Sequence, residues 1–128
     1  MSVANTLFEA ARAAQSRAHA PYSKFYVGAA ILADNGQIYA GCNIENAAYP
    51  EGWCAETSAI SHMVVDGGTA IREILVISPG EMVATPCGGC RQRIAEFGSR
   101  ETVIHLATPG GVERQTTLGA LLPESFSF

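Results

Sequence analysis

The strongest constraint on this chain is that three cysteines stand in two separate segments, Cys54-Ala55-Glu56 and Pro86-Cys87-Gly88-Gly89-Cys90, each opening a run with helical spacing. The first run, Cys54–Val65, is stopped by Gly67-Gly68; the second is Cys87–Phe97. Cys87 and Cys90 lie three apart on one helix face, and Cys54 starts another helix, so the sulfurs can converge only where two helix N-termini meet. Such ends carry partial positive charge and free N–H donors, which favour thiolate over thiol. Three sulfur ligands leave a tetrahedral zinc with one position for water, whereas a structural zinc is usually closed by four. Glu56 sits about 200° around an ideal helix from Cys54. At a helix end, however, side chains of the first turn lean N-terminally from several directions, so Glu56 can reach a metal-held water without being a ligand.

The segments around these motifs repeat one plan. Residues 4–19 carry Ala4, Leu7, Phe8, Ala11, Ala14, Gln15 and Ala18 at three- and four-residue spacing and predict an amphipathic helix ended by Pro21, with Leu7 and Phe8 in the core. Phe25–Ala33 and Gln37–Cys42, joined by Asp34-Asn35-Gly36, read as a hairpin. The polar stretch Asn43–Trp53 is a loop broken by Pro50 and Gly52, and Asn46 should brace it through backbone hydrogen bonds. Glu73–Ser78 and Thr102–Ala107 read as strands, with a loop over 79–86, a further short strand near Gly111–Gln115 and an apolar tail, Leu118–Phe128. The hairpin implies antiparallel pairing and the helical crossovers imply parallel pairing. The expected fold is therefore one α/β domain over residues 1–128, a three-layer α/β sandwich with a mixed sheet of about five strands.

Charge narrows the partners. The chain is net −4, and its eight Lys and Arg are scattered instead of forming a stripe that could track phosphates, which disfavours nucleic acid. The N-terminus lacks a secretory pattern and no apolar run approaches the ~20 residues of a membrane span, so a cytoplasmic protein without a membrane partner is expected. A reducing cytosol makes thiolate chemistry the better reading of the closely spaced cysteines. With 48% hydrophobic and 16% charged residues, some surface is expected to be buried between subunits.

Taken together, Cys54-Ala55-Glu56 and Pro86-Cys87-x-x-Cys90 resemble the signature of the zinc-dependent cytidine deaminases. The likeness extends to Pro21-Tyr22-Ser23-Lys24-Phe25, Val27-Gly28-Ala29-Ala30, Gly41 through Tyr49, Cys90-Arg91-Gln92, and Leu121-Leu122-Pro123 with Phe126, covering nearly the whole chain. The resemblance implies hydrolysis of free cytidine and deoxycytidine to uridine and deoxyuridine in pyrimidine salvage. One zinc per chain would be held by Cys54, Cys87 and Cys90, with Glu56 as the proton-transfer residue. It further implies that Phe25 packs on the base, that Asn43 and Glu45 grip ribose hydroxyls, and that Ala55 lines the substrate pocket. In a homotetramer, Ala47, Tyr49 and Phe126 would complete a neighbouring subunit's site.

One position departs from the family pattern: Thr57 stands where similar three-cysteine enzymes usually carry Arg after the Glu. Zinc with three thiolates is formally −1, and an adjacent guanidinium normally offsets that charge. Two compensations are expected as alternatives: the Thr57 hydroxyl donates to a thiolate, or Arg91, four residues after Cys87, takes the role. Cys42 reads as buried packing rather than a fourth ligand, and His19, His62 and His105 as isolated residues outside the site. Trp53 either lines the pocket or wedges the loop, and Glu51 is a solvated charge. The rivals are a related zinc deaminase of a nucleoside analogue or free base, and a non-catalytic zinc or redox module built on Cys87 and Cys90.

Overall fold

A computed structural model describes residues 2–128. Helix α1 (Val3–Gln15) is followed by the hairpin of β1 (Gly28–Ala33) and β2 (Ile38–Cys42), then α2 (Ala55–Val65), β3 (Ile71–Ile77), α3 (Gly88–Phe97), β4 (Val103–Thr108), β5 (Gly111–Thr117) and one helical turn, α4 (Leu118–Leu121). The five strands form a single mixed sheet in the order β2-β1-β3-β4-β5, with only β3 and β4 paired in parallel. Among the described residues no helix is long and apolar enough to cross a membrane.

Alternation along the strands sends successive side chains to opposite faces, and each face has its own helical cover. Leu7 and Ala11 of α1 pack on Ala30, Leu75, Ile77 and Ala107. On the other face Ala59, Ile60 and Met63 of α2 and Ile94 of α3 pack on Ala29, Ile31, Ile74, Ile104 and Leu106. The expected three layers are thus present. Burying each of the large aliphatic side chains contributes on the order of 1.5–3 kcal/mol before entropy is counted.

This topology fixes where the two cysteine segments go. Both β2 and β3 run antiparallel to β1, so β2-α2-β3 is a parallel crossover that steps over β1, and β3-α3-β4 is a second one stepping the same way. Two crossovers of one hand, stepping in one direction, place their helices on the same face. Both helices then start at the same end of the sheet, where α2 and α3 touch.

Glycines allow the helices to lie close on the sheet. A Cβ on Gly41 would lie 2.4 Å from the Ala59 backbone nitrogen and 2.8 Å from the Ala55 carbonyl oxygen, so α2 rests directly on β2. On the opposite face a Cβ on Gly28 would meet the Ala11 carbonyl oxygen of α1 at 2.1 Å.

Two elements are shorter than periodicity predicts. α1 stops at Gln15, not near residue 19, because long-range bonds compete for the backbone: His19 N donates to the Asn43 carbonyl and Glu45 N donates to the His19 carbonyl. β1 begins at Gly28, not Phe25, since Lys24 adopts φ 60° and the Asn43 side chain ties down residues 25–27. In the tail, only Leu118–Leu121 is helical.

Two outcomes follow from this packing. Gly41→Ala should cost about 1–3 kcal/mol through overpacking against α2, read as a lower urea midpoint; an unchanged midpoint would mean the helix does not press on the strand. The Asp34 carboxylate accepts hydrogen bonds from Thr69 Oγ1, Thr69 N and Ala70 N, and these hold it down to about pKa 2 from 3.8. Because the folded value is depressed, its stabilisation is present above pH 3.8 and lost as pH falls toward 2. The gap in urea midpoint between the wild-type chain and Asp34→Asn should therefore close across that window, and a constant gap would contradict the assignment.

Candidate metal centre and active site

Cys54 and Cys87 are the N-cap residues of α2 and α3, both with extended backbone and neither using its side chain as a cap. Their sulfurs are free to point beyond the helix ends, and the first-turn N–H groups face the same space. Cys90, one turn into α3, is fully buried behind them. The Cys54 and Cys87 sulfurs are 4.0 Å apart, and all three sulfurs lie within 4.8 Å of one another. A tetrahedral zinc with bonds of about 2.3 Å needs sulfur separations of about 3.8 Å, so the trio fits that ion with a small contraction. Cys42 lies in β2, paired with Gly28, and is not part of the cluster.

The thiols already share charge unequally. The neighbouring Cys90 thiol, then Cys87 and Arg93, bring Cys54 down to about 6 against the opposing effect of burial. The Cys54 thiolate, then burial, pushes Cys90 upward. Binding a divalent cation removes this asymmetry, because a coordinated thiol is deprotonated outright.

Glu56, the second residue of α2, is only 5% exposed. Burial raises its carboxyl pKa and the Cys54 charge adds to this, while its own backbone N–H, the Cys90 thiol and Arg93 work in the other direction. A carboxyl raised by burial beside a metal site is suited to holding a proton and giving it back.

Cys54, Ala55, Glu56 and Cys87 form the floor of a cleft of about 240 Å³. Its walls come from strand ends and the loops beyond them: Phe25 and Val27 before β1, Asn43 after β2, Val76 and Ser78 at the end of β3, and Ala84 and Thr85 before α3. Ser78, Ala84 and Thr85 carry no chemical signature in the sequence; the strand–loop–helix pattern alone could have pointed to them.

The other expected residues lie elsewhere. Asn43 reaches the cleft, but its Oδ1 accepts from Val27 N and its Nδ2 donates to the Phe25 carbonyl. Glu45 lines a separate hollow with Tyr22, Ser23 and Tyr49, and its carboxylate accepts from Tyr22 N, Ser23 N and the Ser23 hydroxyl. Ala47, Tyr49 and Phe126 are exposed and do not line this chain's own cleft. Trp53 is half-exposed and outside it; its backbone pairs with Ile44, closing the loop that delivers Cys54. Asn46 braces that loop by accepting from Ala48 N. His105 is taken by Glu73 at 2.7 Å.

Of the two expected compensations for Thr57, one is corrected. The Arg91 guanidinium does not reach sulfur: it donates to the Pro86 carbonyl, the Leu121 carbonyl and the Thr85 hydroxyl, pinning the loop and tail to α3. The Thr57 hydroxyl does lie 3.9 Å from the Cys90 sulfur. Arg93, which sequence reasoning passed over, places Nη1 3.6 Å from that same sulfur. Its position three residues after Cys90 was the available signal.

Comparison with known proteins agrees with this geometry. Residues 1–106 match the family model described as the cytidine and deoxycytidylate deaminase zinc-binding region. A cytidine deaminase of Sporosarcina psychrophila is 44% identical over 121 residues, 94% of this chain and 89% of that protein. The crystal structure of cytidine deaminase from Burkholderia pseudomallei superposes with TM-score 0.90 at 39% identity, covering 98% of this chain and 100% of the other. That from Mycobacterium tuberculosis gives 0.87 at 36% identity over the whole of both chains. With its fold, its three converging sulfurs and its sequence all in agreement, the chain belongs to the zinc-dependent cytidine and deoxycytidylate deaminase family.

Proposed function

We propose that this chain hydrolyses the exocyclic 4-amine of free cytidine and 2′-deoxycytidine, consuming one water and releasing uridine or 2′-deoxyuridine and ammonia. The observation that carries the reading is a buried Glu56 beside a cluster of three sulfurs, two of which, those of Cys54 and Cys87, line a small cleft together with Glu56. Cys54, Cys87 and Cys90 hold the zinc. Zinc bound there supplies Lewis acidity, so that a hydroxide nucleophile is available near neutral pH.

The remaining chemistry falls to this chain's own side chains. Glu56 takes the proton of the attacking water, delivers it to the ring nitrogen next to C4, and later supplies a proton to the departing amine. Its raised pKa keeps it able to exchange a proton in both directions. Phe25 packs on the base and Ala55 lines the pocket beside it. Asn43 and Glu45 hold the ribose: each already braces neighbouring groups, but Asn43 keeps one N–H and a lone pair, and the Glu45 carboxylate keeps one lone pair on Oε2 for a hydroxyl donor. A cleft of about 240 Å³ suits a small molecule, and nothing around it forms the basic, aromatic-lined channel that a strand requires.

The working form is a homotetramer. Tyr22, Phe25, Ile44, Tyr49, Trp53 and Phe126 are exposed apolar or aromatic residues that neighbouring copies would cover. Ala47, Tyr49 and Phe126, which stand clear of their own cleft, complete the site of a neighbouring subunit. A cytoplasmic location and a role in nucleoside salvage are part of this reading, supported by the closely spaced cysteines, whose thiolate chemistry suits a reducing compartment.

The loss of ultraviolet absorbance as cytidine is deaminated tests the reaction. Glu56→Gln should retain one zinc per chain and lose about 10²–10⁴-fold in kcat. Turnover at the wild-type rate in that variant would overturn the role given to Glu56. Cytosine or adenosine turned over in preference to cytidine would overturn the substrate.

A further inference from the structure

The charge of three thiolates has to be met from outside the ligand set, and two groups converge on one sulfur to do so. Cys90 receives the Thr57 hydroxyl from α2 at 3.9 Å and the Arg93 guanidinium from α3 at 3.6 Å. Arg93 lies across the backbone of Gly89, where a Cβ would be 3.5 Å from Nη1, so nothing crowds the guanidinium between the two cysteines of α3. Among the described residues it has no carboxylate within ion-pairing distance. The other nearby guanidinium, Arg91, is held at each of its three nitrogens by two carbonyls and a hydroxyl, away from the sulfurs.

We propose that Arg93 is the positioning residue that neutralises the zinc–trithiolate centre of this chain, acting through the Cys90 sulfur, with Thr57 as a second and weaker donor to the same atom. A zinc ion and three thiolates carry a formal −1, which weakens the metal as a Lewis acid. A guanidinium on a thiolate draws charge off that sulfur and restores the pull of the metal; partners of this kind typically change metal affinity or activity 10–100-fold. The counter-charge is delivered from the helix that carries Cys87 and Cys90, not from the helix that carries Glu56. Position 57 is thereby free to hold a small residue.

The kinetic half of the test rests on the deaminase reading, whereas the spectroscopic half does not. With cobalt(II) in place of zinc, the thiolate-to-cobalt charge-transfer band reports the electron density on the sulfurs. Arg93→Gln should shift that band while binding one metal per chain; with zinc, kcat for cytidine should fall about 10–100-fold and KM change little. Arg93→Lys should recover part of both effects, and Thr57→Arg in the Arg93→Gln background should recover most of them from the other helix. An unshifted cobalt band in Arg93→Gln would overturn the proposal, as would a shift that neither Arg93→Lys nor Thr57→Arg reverses. A wild-type chain that binds cobalt but deaminates nothing would sink the functional reading alone, because the band would still decide the role of Arg93.

Discussion

The meeting of two helix N-termini at one end of the sheet is the constraint on which the rest of this molecule depends. Each helix delivers a cap-position cysteine, Cys54 or Cys87, whose side chain is left out of capping and free to face the other. The seating of the helices on the sheet rests on small residues outside the cysteine cluster. Gly41 lets α2 lie against β2 beside Ala55, the neighbour of Cys54, while Gly28 lets α1 seat on the opposite face.

Electrostatics then binds the site into a unit. Cys54 and Cys90 shift one another, Glu56 responds to both, and Arg93 acts on Cys54 and Glu56. Burial drives the Glu56 carboxyl toward its neutral form, while the neighbouring thiols and the Arg93 cation drive Cys54 toward its charged form, so neighbouring acids are pushed in opposite directions. Pairs of this kind separate the tasks of holding metal and moving protons.

The polar residues around the cleft serve the backbone first. Asn43 locks the approach to β1 and Glu45 locks the turn at Tyr22 and Ser23, so the segment that carries Phe25 is held by side chains of the loop after β2. Side chains already fixed by backbone partners present their remaining lone pairs in set directions, which lowers the entropy lost when a ligand binds.

How much of this was legible in the chain depends on the range of the interactions involved. Strand and helix order, the hairpin at Asp34-Asn35-Gly36 and the open three-sulfur set follow from spacing, since local periodicity, turn chemistry and ligand count are local properties. So did the three layers, because the handedness of crossovers leaves few alternatives. The end of α1 at Gln15 and the late start of β1 were out of reach, being set by hydrogen bonds to residues 43 to 45. The choice between Arg91 and Arg93 was equally hidden: both sit one turn from a ligand cysteine, and only the packed loop and tail, by claiming Arg91, leave Arg93 to face the sulfur. Sequence alone determined which groups could do chemistry here; which of them meet was decided by tertiary contacts, because a side chain three or four residues from its target is aimed by whatever else competes for its hydrogen bonds.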